Sequence, residues 1–174
     1  MNPTLNTEQI EALQNRLAKN PGIVLEQLAD SLACPLQTVI ECLPNTLWQK
    51  MAGSQFVPLL DMMHAWHSSV TVISNSNDAI LEFTGPLPYG EVSHGFYNWK
   101  NSTGLHGHLR FSQCSAIYWI ERPFMNKPTA CLIFCNLNGD PMFKIFVGRN
   151  EAGELRQDQL DALRQFAAQY CELA

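Results

Sequence analysis

With 174 residues, the chain can bury a full core in one domain with room for a small appendage. Its 46% hydrophobic and 16% charged content suits an ordinary folded protein, and a formal charge of −5 argues against a broad nucleic-acid surface, which needs clustered Lys and Arg. No stretch approaches the ~18 uninterrupted apolar residues of a membrane span, and MNPTLNTEQIEAL has neither the basic head nor the apolar run of a signal peptide. Six cysteines without a Cys-x-x-Cys pair argue against a disulfide framework or a zinc ribbon, so the expected setting is the cytosol with reduced thiols.

From the N-terminus, Asn6 or Thr7 is placed to cap a helix carrying Ile10, Leu13 and Leu17, which Asn20-Pro21-Gly22 stops. A second helix is expected over about Val24–Leu32, and a third opens at Pro35 with Leu36, Val39, Ile40 and Leu43 on one side. Three short helices with a tight break form a helix-turn-helix pattern. Its candidate recognition helix, PLQTVIECLP, contains no Lys or Arg, so a helical cap or dimer element fits better than a DNA reader. Residues 1–50 are expected as this helical unit and 51–174 as a sheet domain, the whole forming one compact unit.

Trp48 to Gly53 reads as a connector, and Phe56–Ser68 as a helix with Leu59, Leu60, Met63 and Trp66 on one flank. His64 and His67 are neighbours on it but lack the Glu of a zinc-binding H-E-x-x-H, so packing is the better reading. Strands follow at Val70–Ser74 and Ala79–Phe83 around the turn Asn75-Ser76-Asn77-Asp78, then at His94–Trp99, Leu105–Phe111, Ser115–Glu121, Thr129–Leu137 and Met142–Gly148. Asn138-Gly139-Asp140 marks a hairpin, and Cys131, Ile133 and Cys135 share a core face. A final helix runs from about Gln157 to Cys171. The fold class is α+β: a small helical unit packed on a largely antiparallel sheet, with a C-terminal helix.

Function concentrates in Val92–Phe111, VSHGFYNWKNSTGLHGHLRF. It holds His94, His106 and His108, the aromatics Tyr97 and Trp99, and the cations Lys100 and Arg110. In a strand, side chains alternate between faces, so Leu105, Gly107, Leu109 and Phe111 form one face and His106, His108 and Arg110 the other. An imidazole can ligate a metal and Arg can pair with a carboxylate, so this face suits a flat, apolar, iron-containing ligand with carboxylate tails. Polar residues on a solvent-facing strand are the plainer alternative. A His-ligated metal enzyme using His106, His108 and Glu121 is a further one, although no third ligand stands at a fixed spacing.

The segment AILEFTGPLPYGEVSHGFYNWKNSTGLHGHLRF, then IERPFM and FCNLNGDPMFKIFVGRN, resembles the ChuX/HutX family of bacterial cytosolic haem-utilisation proteins, and Leu43-Pro44 also matches its pattern. The resemblance implies a fold like one half of the larger two-repeat haem-trafficking proteins, assembled as a homodimer. It implies non-covalent haem as transported ligand, passed to a downstream haem-degrading enzyme, by a carrier that is not itself a catalyst; a haem-degrading enzyme is the alternative reading. The family's Gly-x-x-Gly-His motif places a ligand histidine at His108. A second histidine of some members falls at Asn75, a poor iron ligand. Where members use a tyrosine, the resemblance points to Tyr118, with Tyr97 behind it; His94 lies in a matching His-Gly-aromatic motif. Arg110, and less so Lys100, would pair with the propionates, and Met62, Met63 and Trp66 would supply walls or simply core.

Overall fold

The first helix starts where the sequence allows it to. Asn6 Oδ1 accepts from the Gln9 amide while Gln9 Oε1 accepts from the Asn6 amide, both at 2.9 Å, a reciprocal cap that satisfies two orphan donors at the N-terminus of α1 (Thr7–Lys19). The structure, a computed structural model, describes residues 5–76, 78–101 and 104–171; the expected turn residue Asn77 and the loop residues Ser102 and Thr103 lie outside them. Helix α2 (Leu25–Leu32) ends at Ala33 in the left-handed region (φ 50°), and α3 (Leu36–Glu41) follows with Pro35 as its cap, one position ahead of the first turn.

Among the described residues, nine strands form two antiparallel sheets. The larger has the order β1 (Trp48–Ala52), β7 (Cys114–Phe124), β8 (Lys127–Asn136), β9 (Pro141–Phe146), β2 (Val70–Asn75), β3 (Ile80–Gly85); the smaller is β4 (Tyr89–Ser93), β5 (Phe96–Lys100), β6 (Gly107–Leu109). Both faces of the larger sheet are covered at its central strands, which is why those strands read as apolar runs rather than as an alternation. Ala116, Tyr118, Ile120, Cys131, Ile133 and Cys135 pack under α1–α3. Ile117, Trp119, Leu132 and Phe134 face the other way, against α4 (Phe56–His64), α5 (Gln157–Tyr170) and the inner face of the small sheet. Phe134 and Phe143 stack there at 4.4 Å, with Phe56 edge-on at 5.2 Å to Phe134. Gln159, fully buried, ties α5 down: its Oε1 accepts from the Gly148 amide (2.8 Å) and its Nε2 donates to Ser68 Oγ (2.8 Å) and the Ser69 carbonyl (3.0 Å).

Several expectations are corrected. The stretch expected as a connector from Trp48 is strand β1, paired from Trp48↔Ile120 to Ala52↔Ala116. Its hydrogen bonds come from β7, far away in sequence, so no local signal marks it. Helix α4 stops at His64 and not at Ser68, because His67 turns left-handed (φ 49°) to feed β2. Tyr89 and Gly90 belong to a strand, β4, and His94 is not in one. With φ of 53° and 81°, His94 and Gly95 form the two-residue loop between β4 and β5, a role Asn-Gly fills more often.

The helix a DNA reader would present is held against the protein. Leu36, Val39 and Ile40 are buried, and Glu41 Oε1 accepts from Tyr118 Oη (2.6 Å) and pairs with Lys50 Nζ (3.2 Å). Arg122 donates to the Pro21 and Ile23 carbonyls (2.6 and 2.9 Å), and Lys144 pairs with Glu26. Burial lowers the Lys144 ammonium to about 8.

Candidate functional site

The small sheet separates its two faces by side-chain alternation. Tyr97 and Trp99 of β5 point into the core, and Leu109 packs behind them. On the outer face Asn98 stands opposite His108, and His106, His108 and Arg110 are all exposed. The strand expected over Leu105–Phe111 is shorter, with Phe111–Gln113 coiled into a 3-10 turn, yet the division of faces holds.

His108 is held by two neighbours, one of which also carries Arg110. Its Nδ1 lies 2.6 Å from Asn98 Oδ1, its ring meets Phe96 edge-to-face at 5.9 Å, and the Arg110 guanidinium covers the same Phe96 ring at 5.0 Å. Among the described residues, Arg110 has no carboxylate partner, whereas Lys100 is paired with Glu91 at 2.6 Å. His106 Nδ1 lies 2.9 Å from the Gly104 carbonyl.

Beside His108 opens a groove of about 500 Å³, within the usual range for a small-molecule site. Leu109, Leu137 and Met142 give it apolar walls, and Arg110 and Gln113 give it polar ones. Leu137 is 65% exposed at the β8–β9 turn. Phe96, Asn98, Leu137 and Met142 did not stand out in the sequence. An apolar residue set between Asn136 and Asn138 in a turn was the one available signal; the others depend on pairing across strands.

Other candidates lie elsewhere. Tyr118 is fully buried under α1–α3 with its hydroxyl on Glu41, and the structure does not bring it to the groove. Tyr97 is 1% exposed and donates to Asp61 Oδ1 at 2.6 Å; burial and that bond push its phenol far above its usual range. His94 is exposed at the hairpin loop, outside the groove lining. Met63 is core, and Met62 and Trp66 pack against that core. His64 Nδ1 is 2.9 Å from the Leu87 carbonyl, with the His67 ring at 5.3 Å. Asn75 is exposed at the end of β2. Glu121 is engaged by Arg164 (2.9 and 2.6 Å), whose hydrogen bonds hold its carboxyl below the usual range. Among the described residues no group of three or more His, Cys, Asp or Glu is placed to hold a metal ion.

Two larger hollows carry different chemistry. One, of about 830 Å³, is lined by Glu26, Asp30, Asp78 and Asp140, whose charge opposes an anionic ligand. The other, of about 980 Å³, has Arg122, Arg149 and Arg164 in its wall. Those guanidinium groups are engaged by backbone carbonyls or by Glu121, and among the described residues no histidine, cysteine or tyrosine lines the space. A groove that joins an exposed imidazole, a cation and apolar walls is found beside β6.

Comparisons with known proteins point the same way. The family described as "Haem utilisation ChuX/HutX" matches residues 49–166. The chain is 28% identical to the intracellular heme transport protein HutX of Vibrio cholerae, over 92% of this chain and 86% of that one. A crystal structure from Erwinia carotovora superposes with a TM-score of 0.86 at 39% identity, covering 96% of this chain and 99% of that one. The structure of the heme-binding protein ChuX does so at 0.81 and 34%, covering 90% and 97%. In fold alone, the chain also matches 49% of PhuS from Pseudomonas aeruginosa, at a TM-score of 0.75 and 14% identity. It therefore has the fold of one half of that longer protein. No helix of the described residues is long and apolar enough to cross a membrane.

Proposed function

The chain belongs to the ChuX/HutX haem-utilisation family, and we propose on that footing that it binds haem inside the cell and carries it to a protein that consumes it. The observation that carries this reading is the open groove beside His108, where an exposed imidazole, Arg110 and the apolar side chains of Leu109, Leu137 and Met142 converge. Each suits a different part of haem: the imidazole the iron, the guanidinium a propionate, the apolar walls the macrocycle. Relatives named for heme transport and heme binding support the same ligand.

His108 is the iron ligand in this reading, ahead of Tyr118 and Tyr97, whose hydroxyls are buried and committed to carboxylates. His106 and His94 are neighbours that haem can touch at the rim. A shallow groove with one ligand suits cargo that must leave, since affinity then rests on apolar burial at about 25 cal/mol per Å² and on the propionate pair.

The homodimer belongs to the same proposal. Among the described residues strand β3 has β2 as its one sheet neighbour, and it presents Ile80 (63% exposed) and Leu81 (68% exposed). An open edge with exposed apolar side chains is a template for pairing with another strand, so two copies are read as joining there. The helical unit of residues 1–50 is read as a cover for the sheet rather than a DNA reader.

The carrier reading is tested by incubating the hemin-loaded protein with ascorbate in air. A carrier keeps its Soret band and yields it to excess apomyoglobin. Loss of the band with a linear tetrapyrrole product would replace the carrier by a haem-degrading enzyme.

A further inference from the structure

We propose that Asn98 is a positioning residue: it holds His108 in the tautomer with the proton on Nδ1, so that Nε2 is the atom offered to haem iron. The inference rests on the haem reading above and adds how the ligand is prepared before haem arrives.

The argument starts from the far side of the Asn98 carboxamide. Its Nδ2 lies 3.2 Å from the Glu91 carbonyl, 3.1 Å from the Ser93 carbonyl, 3.1 Å from Ser93 Oγ and 3.1 Å from the Phe96 carbonyl. Three of these partners are backbone carbonyls, which can only accept. The nitrogen must therefore face them; the reversed carboxamide would set its oxygen against three others. With the nitrogen fixed, Oδ1 is left facing His108 Nδ1 at 2.6 Å. An amide oxygen also only accepts, so Nδ1 must carry the proton and donate it. In a neutral imidazole this leaves the lone pair on Nε2.

The carbonyls that orient Asn98 belong to the β4–β5 hairpin around its His94-Gly95 loop, both residues at positive φ. The hairpin thus sets the carboxamide, and the carboxamide sets the imidazole. His106 has no such anchor across strands among the described residues: its Nδ1 contact is the Gly104 carbonyl two residues back in its own loop. Of these two imidazoles, His108 is the one held by the sheet.

The test has an arm without haem and an arm with it. In the apo protein, long-range proton–nitrogen correlation spectra are expected to show His108 Nδ1 protonated and Nε2 bare. In Asn98→Ala the two tautomers should mix. A wild-type His108 protonated on Nε2 overturns the proposal, and this needs no variant to fold. With hemin, Asn98→Ala should weaken binding roughly tenfold, the scale of lost partners to metal-bound imidazoles. The same change in a His108→Ala background should cost nothing further. An equal loss in both backgrounds would mean that Asn98 acts only through the hairpin, and overturns the proposal. If His108→Ala alone binds hemin as the wild type does, the ligand assignment fails while the apo tautomer signal still reports on Asn98, so the two failures are distinguishable.

Discussion

Replacing Tyr118 by Phe removes one hydroxyl from beneath the helical unit and leaves the ring in place. That hydroxyl donates to Glu41 Oε1 at 2.6 Å, and the ring packs against Trp48 at 5.7 Å with Lys50 Nζ 5.9 Å from its centre. A hydrogen bond to a charged group contributes about 1.5–3 kcal/mol. Here Glu41 keeps Lys50 (3.2 Å) and Gln37 (3.3 Å) and its side chain is 37% exposed, so water and these partners recover part of the loss. The expected cost is therefore about 1.5 kcal/mol, at the low end. With a urea slope of about 2 kcal/mol per M, the unfolding midpoint should fall by roughly 0.75 M. The hemin spectrum and affinity of the variant should match those of the wild type. An unchanged midpoint together with a lost or shifted Soret band would refute the reasoning and make Tyr118 the iron ligand.

Arg164→Met should lower stability at pH 7 by about 0.5–1 kcal/mol, the scale of an exposed ion pair, since Arg164 is 47% exposed. Because Arg164 depresses the folded-state carboxyl of Glu121, its contribution is present above the ordinary carboxylate range and fades as pH falls through the lower folded value. Urea midpoints of wild type and variant should converge in acid, and a gap that stays constant would contradict that origin. Leu81→Lys places a charge on the open β3 edge and should yield a monomer by sedimentation, with little change in the monomer's own fold. A dimer that survives it would move the interface elsewhere.

What the sequence disclosed, and what it concealed, follows from the range over which each signal acts. The alternation along Leu105–Arg110 is local, so the imidazole-bearing face of β6 was legible from period two alone. The helix α1 cap at Asn6 and the hairpin at Gly139 are also local and were found. Strand β1 has a short, mixed sequence whose partner is β7, and Gly53 beyond it lies so close to Cys114 that an added Cβ would meet its carbonyl oxygen at 1.9 Å. Strand β4 was masked by the Pro-rich approach through Pro86 and Pro88. In SAIYWIE both faces are apolar because both are covered, so alternation could not tell whether Tyr118 faces an opening or a helix. Asn98 was invisible as a partner of His108 until the β5–β6 register was known.

The most direct measurement is a hemin titration of the wild-type protein beside His108→Ala, followed at the Soret band. The wild type should saturate with a distinct band, and the variant should bind more weakly with a shifted band, because the groove keeps its apolar walls and Arg110 but loses the imidazole. Superimposable titrations, or a wild-type protein that leaves the hemin spectrum unchanged, would contradict the account.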